Sequence, residues 1–100
     1  MRELNVPAAA QTDDDSWELL RAWVAENGLH CSLKVGVYEA EGIQEEKAWG
    51  TILADAARHV ADALSSLGLR NSEAALSEIR RHFEAELDAP TSKRTGSLVQ

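Results

Sequence analysis

One hundred residues suit a single domain that buries about two-thirds of its extended surface, with no room for a second. A hydrophobic share of 44 % and a charged share of 27 % match ordinary globular usage and argue against a wholly disordered chain. Ten Lys plus Arg against seventeen Asp plus Glu give a net charge of −7, which argues against nucleic acid or an anionic membrane surface as partner, since both call for clustered cations.

Residues 1–16 read as an N-terminal arm. Met1-Arg2-Glu3-Leu4-Asn5-Val6-Pro7 has neither the charge pattern nor the apolar stretch of a signal peptide. Leu4 and Val6 alternate and could form a short strand, which Pro7 confines to a sheet edge. Asp13-Asp14-Asp15 reads as a solvated turn and lacks the alternate spacing of a calcium loop.

Two apolar runs follow, Trp17 to Glu26 and Leu29 to Tyr38, separated by Asn27-Gly28. Asn-Gly between such runs predicts a β-hairpin with a type I′ turn, because both turn positions need positive φ. Glu26 then opposes Leu29, Val24 opposes Cys31, Ala22 opposes Leu33 and Leu20 opposes Val35. The period of two puts these residues on one aliphatic face. The opposite face carries Trp17, Leu19, Trp23 and Tyr38, interrupted by Arg21, His30 and Lys34. A helix over 17–26 is the competing reading, since Glu18 to Ala22 are good helix formers.

From Glu45 to Leu67 the period becomes 3.6, with Trp49, Ile52, Leu53, Ala56, Val60, Ala63, Leu64 and Leu67 in one stripe. Glu45 and Glu46 suit the start of that helix, and Gly68-Leu69 reads as its C-terminal cap. Asn71 or Ser72 caps a second helix, whose stripe is Leu76, Ile79, Phe83 and Leu87 and which Pro90 ends. The short link makes the two helices antiparallel neighbours. Residues 17–89 thus form the domain, and 90–100 read as a flexible tail.

The predicted fold is α+β, in the order β-β-α-α, with the hairpin packed on two antiparallel helices. A ten-residue strand spans about 33 Å and the first helix about 34 Å, so the helix stripe can lie along the aliphatic strand face. The aromatic face then lies open. Either a second copy covers it through Trp17, Leu19, Trp23 and Tyr38, or the N-terminal arm folds back over it within one protomer.

Candidate chemistry is sparse. Asp55, His59 and Asp62 share one side of the first helix and could be read as a metal trio, but no second helix completes a ligand set, so a surface ion cluster is the simpler reading. His30 and Cys31 are strand neighbours and point to opposite faces, so they cannot act as base and nucleophile. Cys31, the only cysteine, reads as a small buried hydrophobe rather than a reactive thiol. His82 supports at most a surface pair with Glu78. Gly50, costly in a helix by about 1 kcal/mol relative to Ala, suggests a close neighbour. No phosphate loop, nucleophile elbow, zinc spacing or EF-hand occurs, so no catalytic, metal or cofactor residue is assigned.

The stretches Glu18-Leu19-Leu20-Arg21-Ala22-Trp23-Val24-Ala25 and Ala48-Trp49-Gly50-Thr51-Ile52-Leu53-Ala54-Asp55-Ala56-Ala57-Arg58-His59-Val60-Ala61 resemble a family of small bacterial proteins known as a domain of unknown function, number 5076. The resemblance runs over about residues 16–67 and more faintly through the second helix. It implies the fold length and a bacterial cytoplasmic origin, and brings no activity or site residue with it.

The functional expectation is a non-catalytic interaction protein of the cytoplasm, a homodimer joined through the hairpin, with a further protein partner open. Two alternatives stand beside it. One is a small enzyme or ligand-binding protein with a pocket near Trp49 and His59. The other is an acidic protein that masks a basic protein surface.

Overall fold

The computed structural model describes residues 1–91 and 95–99. Leu4 and Val6 lie in an irregular arm and form no strand, a correction to the edge-strand reading. Pro7 opens a single short helix instead, α1 (Ala8–Thr12). Proline suits a helix start, where its missing N–H costs nothing. The Asp13 to Ser16 turn is tied back onto α1 by the Ser16 hydroxyl, which donates to the Ala10 carbonyl at 3.0 Å.

The chain reverses between β1 (Leu20–Ala25) and β2 (Gly28–Lys34), an antiparallel pair. The helical reading of the first run is therefore excluded. The turn residues are Glu26 and Asn27, at φ 50° and 60°, and not Asn27-Gly28. Leu20 opposes Leu33, Ala22 opposes Cys31 and Val24 opposes Leu29. The register is thus two residues away from the predicted one. A slip of one residue would turn every side chain over, whereas a slip of two leaves both faces intact. The hydrophobic pattern cannot tell the two registers apart; the aliphatic face of β1 and β2 survives, whereas of Trp17, Leu19, Trp23 and Tyr38, expected on the aromatic face, Trp23 alone lies within a strand.

The shift releases residues 35–38 from the sheet. Gly36, at φ 104°, ends the extended run and serves as the N-cap of α2 (Val37–Ala40), which holds Tyr38. The strands are accordingly shorter than predicted, and Trp17 and Tyr38 lie outside them. Pairing does continue one step past β1, where the Lys34 N–H donates to the Leu19 carbonyl at 2.9 Å.

Helices α3 (Glu45–Ser66) and α4 (Ser72–Asp88) follow the predicted spans closely. Gly68, at φ 73°, closes α3 in a Schellman motif. The Leu69 N–H reaches the Leu64 carbonyl and the Gly68 N–H reaches that of Ser65, both at 3.0 Å. Asn71 caps α4, its side chain accepting from the Ala74 N–H at 2.9 Å. The segment read as a tail contributes β3 (Thr95–Val99), parallel to β2, so the sheet order is β1-β2-β3. Gly96 makes this approach possible, because a Cβ there would overlap the Cys31 carbonyl. The remainder of the expected tail, at 92–94 and 100, falls outside the described residues.

The class is α+β, and the order α1-β1-β2-α2-α3-α4-β3 contains the expected β-β-α-α with two short helices and a third strand added, but the core differs from the expected one. The substantial contacts run within the sheet, between α3 and α4, and between α2 and α3. The aliphatic strand face does not lie along the α3 stripe: Val24 is 85 % exposed, and Leu20 and Leu29 are exposed too. Among the described residues the buried apolar side chains are Ala61 and Ala75, at 2 % and 3 % exposure, and no large side chain is fully buried. These alanines let α3 and α4 approach closely along one flank of their stripes.

Candidate functional site

The best-ordered polar feature joins the sheet to the helical hairpin. Glu45, the first residue of α3, is 8 % exposed. Its carboxylate accepts from the Gly36 N–H at 2.9 Å, from the Glu39 N–H at 3.1 Å and from the Trp49 indole N–H at 3.1 Å. In return the Glu39 carboxylate accepts from the Glu45 N–H at 3.1 Å. Each helix start is therefore capped by a side chain from the other. The Gly36 N–H is the main cause that holds the Glu45 carboxyl below its usual range, with Glu39 and Trp49 adding to it and burial opposing it. These bonds anchor α2 on α3. The sequence marks Glu45 only as a favourable helix-start charge, because its partners lie in a turn that a longer β2 would have absorbed.

The arm and β1 enclose an open cleft of about 530 Å³, lined by Arg2 to Pro7 together with Trp17, Arg21 and Trp23. Arg21 reaches the Glu3 carboxylate and the Glu18 carboxylate, both at 2.7 Å. The Arg21 guanidinium lowers the Glu18 carboxyl, and Glu18 in turn raises Arg21. The arm thus folds back beside the aromatic face within the protomer. Trp17 is exposed, whereas Leu19, Trp23 and Tyr38 are half-buried. The four residues expected to form one interface are distributed over a loop, the edge of β1, β1 itself and α2.

The ion clusters lie on the helix surface. His59 stands 3.4 Å from Asp55, both exposed, and among the described residues no group of three His, Cys, Asp or Glu is placed to hold a metal ion. Arg81 binds Glu78 at 2.8 Å and holds that carboxyl below its usual range, with His82 3.9 Å away. Neither Trp49 nor His59 lines the cleft beside the arm or the two shallower concavities on the helices, and the Trp49 indole is taken by Glu45. Among the described residues nothing lies within 4 Å of where a Gly50 Cβ would sit, so the close neighbour expected there is not among them. His30 opposes Trp23, and its Nε2–H donates to the Ala25 carbonyl at 3.1 Å. Cys31 opposes Ala22 on the other face.

The molecule exposes more surface than a compact monomer would, including many large apolar side chains. The chain exposes 8558 Å², whereas a compact monomer of its 10.9 kDa would expose about 5,600 Å². Its radius of gyration is 15.4 Å, against about 12.7 Å for a compact 100-residue domain. The surplus includes residues of both helix stripes, at Leu53, Val60, Phe83 and Leu87, and the aliphatic strand face. This broad surface is the candidate site. No helix among the described residues is long and apolar enough to cross a membrane.

Comparison with known proteins places the chain. No curated protein matches it. A solved protein from the photosynthetic bacterium Rhodopseudomonas palustrus CGA009, provisionally named a pyruvate dehydrogenase, shares the fold with a TM-score of 0.73 and 29 % identity, over 100 % of this chain and 97 % of that one. The family model described as Domain of unknown function (DUF5076) matches residues 3–91. The chain belongs to that family.

Proposed function

We propose that this protein is a non-catalytic interaction module of the bacterial cytoplasm whose working form is a homodimer. The surface surplus of about 3,000 Å² per chain carries the reading: a pair has about 6,000 Å² to hide, the scale of the larger obligate interfaces, which run from about 2,000 to beyond 5,000 Å² over both partners, and a self-sufficient monomer would hide much of that area internally. The net charge of −7 favours protein over nucleic acid as the thing bound. The enzyme name of the solved relative adds no reacting group here, since His30 and Glu45 are engaged with backbone N–H or carbonyl groups and Cys31 faces an alanine.

Size-exclusion chromatography with light scattering tests the proposal. The expected mass is twice the 10.9 kDa of the chain, unchanged on dilution to micromolar concentration. A particle of a single chain's mass at every concentration would refute it.

A further inference from the structure

Resting on that dimer, we infer that its interface joins the sheet of each copy to the helical hairpin of the other. The aliphatic face of one β1–β2 ribbon would be covered by the α3–α4 stripe of its partner, and the reverse, about a twofold axis.

Three observations lead to this arrangement. A sheet with one apolar face is ordinarily buried under helices, and this chain carries both halves of that layer pair. The halves do not meet within the protomer. Leu20, Val24 and Leu29 stand exposed on the sheet, and Leu53, Val60 and Phe83 stand exposed on the helices. The reciprocal capping of Gly36, Glu39 and Glu45 fixes where α3 departs from the end of β2. A layer pair that the junction keeps open in one chain can close between two.

The dimensions agree. Seven residues of β2 span about 23 Å, and the stretch from Leu53 to Ser66 on α3 rises about 20 Å. Other pairings leave one face uncovered. Joining two sheets face to face would leave Val60 and Phe83 in water, and joining two helical hairpins would leave Val24 there. Edge pairing through β1 would satisfy backbone groups and hide neither face. The crossed arrangement covers all four faces of the pair at once. A twofold axis then closes the assembly at two copies, which avoids an open filament.

Cysteine cross-linking in the full chain tests it. In a Cys31→Ser background, V24C or L29C is combined in one chain with L53C, V60C or F83C and oxidised mildly. The expected product, in at least one combination, is a covalent dimer on a non-reducing gel, while the single variants stay mostly monomeric. An intramolecular cross-link would place the layer within one chain and overturn the inference. So would efficient cross-linking by V24C alone, which requires sheet against sheet, or by V60C alone, which requires helix against helix. No cross-link in any combination overturns it as well. Light scattering on the same background separates the two levels: a dimer with the wrong cross-links sinks only the crossed interface, and a monomer sinks the dimer itself. As a second readout, Val24→Glu and Val60→Glu should each raise the dimer dissociation constant by at least about tenfold, with unchanged far-ultraviolet circular dichroism. Both positions are exposed in the protomer, so neither change places a charge in its own interior.

Discussion

The facing ends of α3 and α4 are closed by a glycine cap and a side-chain cap, whereas β1 and β2 are set in register by a two-residue turn and by contacts the pattern does not encode. Asn71 stops one end of α4, and the Gly68-Leu69 pair stops one end of α3, each through bonds to residues within one turn. The hairpin offered two turn positions, and the chain took the one with Glu26 at φ 50° in place of Gly28. Local chemistry therefore fixes the helical hairpin almost residue by residue. It fixes the sheet only to within a slip that preserves its faces. The difference locates the protein's weak points: the helical pair is held by short-range caps and an alanine contact, the sheet by its neighbours.

Breaking the junction between the two regions should produce the largest effect. Glu45→Ala removes the acceptor for the Gly36, Glu39 and Trp49 N–H groups together, and is expected to lower the melting temperature more than any cap removal. The same link gives a pH dependence. Glu45 has its folded pKa below the ordinary value of 4.5, so its contribution is complete above that value and fades as pH falls through the lowered one. Stability measured by urea titration should drop through this acid range in the natural protein, and the drop should shrink in Glu45→Gln.

A smaller effect comes from overfilling the helix contact. Ala61→Leu adds bulk where α3 meets α4 and should cost about 1–3 kcal/mol in chemical denaturation. The smallest comes from the cap. Asn71→Ala should cost about 1 kcal/mol and leave the sheet untouched, as amide exchange confined to the first turn of α4 would register.

These sites also show what the sequence disclosed. The α3 and α4 spans, the Gly68 motif and the Asn71 cap were legible because each depends on residues close together in the chain. The two strand faces were legible because alternation survives a two-residue slip. The register was not, and with it went the ends of the strands and the presence of α2. Strand β3 was hidden because Thr95 to Val99 carries little apolar signal, and its fit depends on Gly96 meeting Cys31 far away in the chain. The Glu45 anchor was hidden for the same reason, since its donors enter only once Val37 to Ala40 coil. Leu53, Val60 and Phe83 were correctly placed on helix stripes, but periodicity cannot say whether a stripe is buried by its own chain or by another. The four aromatic-face residues show the converse: Trp23 opposes His30 beside the folded-back arm, and Trp17 is left exposed.

Urea unfolding at two protein concentrations a hundredfold apart asks most directly whether one chain can hold itself together. If two copies complete each other's core, the apparent stability rises by about 1.4 kcal/mol for each tenfold increase in concentration, and the midpoint climbs with it. Superimposable curves would mean that the exposed apolar surface is tolerated by a self-sufficient monomer, contrary to this account.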